Sequence, residues 1–547
     1  VGSEDVPDRG PSERKRKGLA LSGLWEVNPD LSVTVDYYGF RGKDNQPDLG
    51  GYLVGTAPAR YPASNVPVYA QSNDFLKSDV DTLTARINYR LASDLKLTSL
   101  TRYGTSSNGY ATTGASSRTA YNADGSTYTT AGIDSGHTGW QEVHYFAHQS
   151  NLRWDKMIGG MKHEIIGGFE YTDHMVTSGN YAVNNSGAYN CRTSATATAN
   201  NGWCFTNGAG QSLGDPTSLA GRSYSRNGWN RDWQVRTYAL SLMDTVDLTD
   251  KWTVFGGVRA DHYKLSMLTR NAATNAQTGD YGFSDTLFNG HLGVSYKINP
   301  QGMVYAGYGT SQDINGGEPD SGTSSGYGGL VIYNGSAAGA KPERSQNFEL
   351  GTKWNLLDDK LLATAAVFQT TKTDVMEGAN YDTAGTFNTG KNRVRGIEFG
   401  LAGNVTKQFQ LQAGAAFMKS KVLRSATVAN ESRPLSNFAD RSFSVQGKYQ
   451  ITKDFSIGAV ARHESDRCGG QPDTAAGYTA NGVCSQPVPS FTVYDAFASY
   501  RINKHADVRL NVLNLTNKDY YTAVYRSGAF LYKGDARAVR LTLNLDL

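Results

Sequence analysis

Val539-Arg540-Leu541-Thr542-Leu543-Asn544-Leu545-Asp546-Leu547 carries the chain to its last residue as an unbroken alternation of apolar and polar side chains. Successive side chains of a strand point to opposite faces. Val539, Leu541, Leu543, Leu545 and Leu547 therefore share one face, and Arg540, Thr542, Asn544 and Asp546 share the other. The pattern returns at Leu83, Ala85, Ile87, Tyr89 and Leu91, set against Thr82, Thr84, Arg86, Asn88 and Arg90. It returns again at Ala506, Val508, Leu510 and Val512, opposite Asp507, Arg509 and Asn511. No helical period interrupts it. Recurring two-faced strands describe a wall with lipid on one side and water on the other.

Composition narrows the alternatives. Among 547 residues only 19% are charged, while there are 61 glycines, 32 tyrosines and 15 prolines. No run of about 18 apolar residues occurs, which excludes a membrane-spanning helix. A soluble enzyme of this length would show amphipathic helices, and a propeller would show a fixed blade repeat of about 40 residues. Neither is present. A net charge of +3 without a basic stripe gives no reason to expect a nucleic-acid partner.

Nineteen strand-like segments can be counted, mostly as hairpins: 15–25 with 31–41, 79–91 with 95–105, 141–154 with 161–176, 233–247 with 252–267, 284–298 with 303–312, 345–355 with 360–373, 392–403 with 408–421, 438–450 with 454–464, 491–501 with 506–513, and a closing strand from 537. Short turns alternate with long loops, the longest at 177–232, which is the plan of an outer-membrane barrel. Trp25, Tyr89, Trp154, Trp252, Tyr305, Trp354, Tyr449 and Tyr500 sit near strand ends, where an interfacial aromatic girdle is expected. Arg86, Arg90, Arg259, Asp261, Arg509 and Arg540 fall on the lumen side, where unpaired charges are tolerable only if the interior is wet or plugged. An odd count would make the first and last strands parallel, so an odd number of strands is expected to be missing before Lys15. Val1-Gly2-Ser3-Glu4-Asp5 also lacks the marks of a secretion signal, which suits an internal piece of a longer protein.

Four cysteines lie in two Asn/Gly/Ser/Thr-rich loops, Cys191 with Cys204 and Cys468 with Cys484. Three connectivities are possible and sequence alone does not choose among them. The local pairs are the economical expectation, each worth about 3 kcal/mol by loop closure. They imply an oxidising compartment. Zinc would want CxxC-like spacing with neighbouring histidine, which neither pair offers. Of the nine histidines, the closest pair is His144 and His148 on one strand, about 13 Å apart and too far to share a metal. No nucleophile elbow, zinc-protease or nucleotide-binding motif appears, so no catalytic residue, no resident metal and no cofactor are expected.

Several stretches resemble the barrel of TonB-dependent outer-membrane receptors. They are Lys341-Pro342-Glu343-Arg344-Ser345-Gln346-Asn347-Phe348-Glu349-Leu350-Gly351-Thr352-Lys353, Val394-Arg395-Gly396-Ile397-Glu398-Phe399, Asn511-Val512-Leu513-Asn514-Leu515-Thr516-Asn517-Lys518-Asp519-Tyr520 and Gly534-Asp535-Ala536-Arg537. Asp5-Val6-Pro7-Asp8-Arg9 and Asp44-Asn45-Gln46-Pro47-Asp48 are similar to elements of the ferric-catecholate subgroup. The family usually ends in Phe, and this chain ends in Leu547. The resemblance implies an all-β transmembrane antiparallel barrel, with about 19 strands present of roughly 22, and one domain over 1–547 without plug or TonB-box peptide.

It also implies a monomeric receptor for a ferric siderophore, catecholate in type, in the outer membrane of a Gram-negative bacterium. Outer-membrane lipid and lipopolysaccharide would surround it, and the TonB–ExbB–ExbD complex would drive import in the full-length protein. A passive channel and a surface-attachment or phage-receptor barrel are the alternatives. A bulky, aromatic, anionic ligand calls for Arg and for Tyr or Trp in the long loops. The candidates are Arg118 with Tyr121, Arg192 with Trp203, the cluster Arg222, Tyr224, Arg226, Trp229 and Arg231, Tyr327 with Tyr333, and Arg526 with Tyr532. Loop packing or contacts to lipopolysaccharide phosphates would use the same residue types.

Overall fold

The computed structural model describes residues 2–314, 342–375, 377, 389–525, 528 and 530–546. Among the described residues twenty strands form one sheet, from Gly2–Asp5 and Glu13–Asn28 to Ala506–Leu513 and Ala538–Leu545. Each strand of the sheet is antiparallel to its neighbour in chain order, so every short hairpin lies on one rim. The sheet curls until its edges face each other. Arg540, on the last strand, reaches Glu4, on the first, at 2.6 Å. A cleft of about 770 Å³ separates the two edges, lined by Ser3, Glu4, Pro7, Val539, Arg540 and Leu541 among others.

The alternation read from the sequence sorts the two faces. Leu21, Tyr37, Leu83, Tyr103 and Phe146 stand opposite one another on five successive strands and form one outward apolar row. Leu350, Val367, Ile397 and Phe417 form another. Leu541 is 70% exposed and Val258 66%, values that suit acyl chains rather than water as the neighbour. On the lumen face Arg259 pairs with Asp261 at 2.7 Å and with Glu170 at 3.0 Å. Arg90 meets Asp30 at 2.6 Å, and Arg509 donates to Asn511 at 3.0 Å.

Three expectations are corrected. The sheet has one strand more than the nineteen counted, because Gly2–Asp5 pairs with Glu13–Arg16; four polar residues show too little alternation to be recognised. Several strands run well past their expected outer ends: Leu95–Tyr121, Thr127–Ile158, Met161–Asn185 and Arg222–Asp247. Their ladders continue above any membrane, where hydrophobic alternation has no cause to persist and Ser, Thr and Tyr support strands equally well. The longest loop therefore shrinks to 186–221. Tyr305 does not join the outer girdle. It stands across from Gly351 on the lumen parity, donates its hydroxyl to Glu349, and lies under the Lys353 ammonium at 5.3 Å.

The quoted motifs act as fasteners. Arg9 pairs with Asp48 and donates to the Val66 carbonyl at 2.7 Å, joining the Asp5–Arg9 and Asp44–Asp48 elements. Glu343 is buried against Lys372, which also holds Asp473 at 2.8 Å, so the Pro-Glu stretch anchors a strand to the loop at 465–490. Asn514 takes a positive φ of 45° and donates to the Lys518 and Asp535 carbonyls at 2.9 and 3.0 Å. Tyr520 lies so close to Gly534 that a Cβ there would stand 2.1 Å from its ring. The two late motifs thus require each other.

Candidate functional site

On the rim opposite the short turns the long loops pack into a crown. Tyr52, Val66, Tyr69, Ile133, Trp203 and Phe205 form a buried apolar cluster, uniting the loops at 46–74 and 186–221 with the strand tops. Leu53, Val488, Tyr521, Val524 and Leu531 form a second. The crown also joins the two ends of the chain. Gly51 and Leu531 exchange backbone hydrogen bonds at 2.9 and 2.8 Å, Tyr521 donates to the Ala63 carbonyl at 3.2 Å, and Arg60 to the Ser485 carbonyl at 3.3 Å. Disulfides join Cys191 to Cys204 and Cys468 to Cys484, with Cα separations of 5.9 and 5.5 Å. Small apolar clusters enlarged by cross-links are how loops with little core become ordered.

Polar contacts fix the crown to the wall. Asp74 is buried and accepts from the Tyr224 and Thr113 hydroxyls and from the Gln71 amide. Burial pushes its carboxyl above the ordinary carboxylate range, against the pull of those three donors and of the nearby Arg222 charge. Arg222 is itself 2% exposed. Its guanidinium donates to Thr113 at 2.9 Å, to Asn185 at 3.2 Å and to the Asp134 carbonyl. Tyr69, fully buried, has its hydroxyl pushed well above its ordinary value by desolvation.

The expected ligand residues separate into groups. Arg118 is tied to Asp134 and the Ile133 carbonyl, and Arg192 to the Asn122 carbonyl. Tyr121 closes its strand by donating its amide to the Arg192 carbonyl at 3.0 Å. Trp203 is buried, its ring tilted at 42° against Tyr189 with centroids 4.6 Å apart, and it donates to the Gly187 carbonyl at 3.1 Å. Arg222 and Tyr224 belong to the Asp74 network. Arg226 lies 3.7 Å from the Trp140 ring centre and pairs with Glu142 at 2.6 Å. Trp229 lies under Arg270 at 4.2 Å. Register places Arg226, Trp140 and Trp229 on the outward parity of the wall. Arg231 stands opposite Ser178 and Thr269. Tyr327, Tyr333 and Arg526 lie outside the described residues.

Tyr532 is exposed and belongs to a cluster that sequence reading passed over. Tyr525 stacks on Phe530 at 4.8 Å, Tyr532 meets Phe530 edge-on at 5.2 Å, and His137 meets both Tyr525 and Phe530, at 5.6 and 5.8 Å. His137 lies on the lumen parity, so four rings from two distant segments converge at the mouth of the barrel. The density of aromatics at 520–532 was visible in the sequence, but not its convergence on His137. Such a cluster can hold a flat, electron-rich ring by offset or edge-on stacking. No group of three or more His, Cys, Asp or Glu suited to a metal occurs among the described residues.

Comparison with known proteins places this geometry. A family model described as TonB dependent receptor-like, beta-barrel matches residues 24–515. A probable TonB-dependent receptor of Bordetella pertussis, BfrD, is 30% identical over all of this chain and 72% of its own length. The catecholate siderophore receptor Fiu of Escherichia coli K12 is 29% identical with the same coverage. Among solved structures, the ferric-catecholate import receptor Fiu superimposes with a TM-score of 0.78 at 24% identity, covering 99% of this chain and 76% of that one. The siderophore receptor PiuA of Acinetobacter baumannii gives 0.80 at 22% identity, with the same coverage.

Proposed function

Because the chain belongs to the TonB-dependent receptor-like β-barrel family, we propose that it takes up ferric siderophores of the catecholate class across the outer membrane of a Gram-negative bacterium. The observation that carries the reading is the match along the whole chain to catecholate siderophore receptors. The aromatic cluster of His137, Tyr525, Phe530 and Tyr532 at the mouth supplies a matching chemistry, since catecholate rings offer flat faces for stacking. Crown and wall capture the complex, and the TonB complex drives import. The ferric complex is cargo rather than a resident cofactor, and one chain forms one barrel. The family is one of receptors, not a class of enzymes. The relatives matched lend nothing to the channel or attachment readings.

The test is a titration of the purified protein with ferric tris-catecholate complexes, ferric hydroxamates and ferric citrate, followed by quenching of tryptophan fluorescence. Saturable binding of the catecholate complex, at least tenfold tighter than the others and lost without iron, is expected. Equal affinity for all three, or none for any, refutes the assignment.

A further inference from the structure

The outer face of the wall carries a cationic cleft that siderophore capture leaves unused. On the strands Gly390–Asn404 and Phe409–Arg424, Arg395 stands directly opposite Lys419 and Arg393 opposite Lys421. On the next strand Arg441 stands opposite Phe417. All five cations share the outward parity of Ile397 and Phe417; Arg393, Arg395, Lys419 and Lys421 sit on the crown side of that apolar row, and Arg441 is level with it. Like charges facing each other across a ladder destabilise it unless an anion intervenes.

One carboxylate, Asp440, interacts electrostatically with Lys419 and Arg441, which leaves five cations against a single anion here. Among the described residues none of the five makes an ion pair, whereas Arg41, on the outward face elsewhere, is matched by Asp79 and Asp81. Beneath the charges lies a cleft of about 610 Å³, floored by Val367, Ile397 and Phe417 and rimmed by Arg395, Lys419, Arg441 and the single carboxylate Asp440.

An apolar floor at acyl-chain depth, with Arg441 beside it and Arg395 and Lys419 one row above, is complementary to an amphiphile with an anionic head. We infer that this cleft holds a phosphorylated glycolipid of the outer leaflet, its phosphate between Arg395, Lys419 and Arg441 and an acyl chain along Val367, Ile397 and Phe417. The inference rests on the outer-membrane reading above. Arg395 and Arg441 can each give a phosphate two parallel hydrogen bonds, with Lys419 adding a point charge.

The test uses the full chain in phosphatidylcholine nanodiscs titrated with diphosphoryl lipid A, fully dephosphorylated lipid A and inorganic phosphate, with bound lipid read by native mass spectrometry. Diphosphoryl lipid A should bind at least tenfold more tightly than its dephosphorylated form, and excess inorganic phosphate should not displace it. Each basic residue near an anionic surface contributes about fivefold, so Arg395→Glu/Lys419→Glu/Arg441→Glu should weaken binding on the order of a hundredfold. Lys251→Glu/Lys297→Glu/Lys453→Glu, the same charge change at the short-turn rim, should leave it unchanged.

Equal binding of the phosphorylated and dephosphorylated lipids overturns the site, as does a triple variant matching its control or displacement by free phosphate. Should the reversal prevent folding, the corresponding glutamine variants and the wild-type lipid comparison decide alone. Failure of the wild type to insert, seen as loss of heat-modifiable mobility, overturns the outer-membrane reading instead.

Discussion

Replacing Arg222 by alanine should open the crown while leaving the wall below intact. The guanidinium is 2% exposed and its three donors reach Thr113, Asn185 and the Asp134 carbonyl. Its charge also helps offset the desolvation of the buried Asp74 carboxyl. Bonds from a charged donor are worth about 1.5–3 kcal/mol each, but they are not additive within one network. Removing one partner of a buried ionic cluster costs about 3–5 kcal/mol, and that is the magnitude expected here. At roughly 1.4 kcal/mol per decade, local opening becomes on the order of a thousandfold more populated. Hydrogen–deuterium exchange at amides 181–185 and 222–226 should accelerate accordingly, and loop 186–221 should become sensitive to protease. Heat-modifiable mobility should be unchanged, because the wall below does not use Arg222. Arg222→Lys, which keeps the charge but loses the fork, should fall between. Exchange within threefold of wild type in Arg222→Ala would show that the crown is held by its apolar clusters alone.

Other outcomes are fixed by single contacts. Cys191→Ser/Cys204→Ser removes a cross-link spanning 13 residues, worth about 3 kcal/mol, so exchange in loop 186–221 should rise on the order of a hundredfold while loop 465–490, with its own disulfide, is unaffected. Asp74 has a folded pKa above the ordinary 3.8, so the closed crown binds the proton more tightly than the open one. Crown stability should therefore fall as pH rises from 3.8 through the folded value, and Asp74→Asn should flatten that slope in exchange measured across pH. Leu541→Arg places a charge on the outward apolar row of the last strand and should cost about 2–4 kcal/mol, read from urea unfolding in vesicles; a cost near zero would place that face away from lipid. Phe530→Ala removes the ring that contacts His137, Tyr525 and Tyr532, and should weaken ferric tris-catecholate binding about tenfold in the fluorescence titration, with ferric citrate unaffected.

The wall was legible in the sequence because lipid enforces a rule at every second residue, and Leu541, Leu83 and Ile397 obey it. Above the membrane that rule lapses. Arg222 and Arg226 were accordingly read as loop residues, although both lie on a strand. The crown was harder to read for a different reason. Its fasteners join residues hundreds of positions apart, and nothing local to Arg222 announces Thr113 or Asp74. Periodicity could flag a run of aromatics at 520–532 but not the His137 ring that completes it. The cationic cleft was hidden similarly: Arg395 lies within a quoted motif, yet its meaning depends on Lys419 across the ladder.

The bridge between Gly51 and Leu531 bears on the order of assembly. A contact spanning most of the polypeptide has a large loop-closure cost until the intervening hairpins have already brought its ends together. The ligand-capturing mouth must then be the last part of the molecule to mature. An intermediate with nearly all its wall zipped but its final hairpin undocked would be a cylinder without a recognition surface, so binding competence would report completion of folding more faithfully than strand content does.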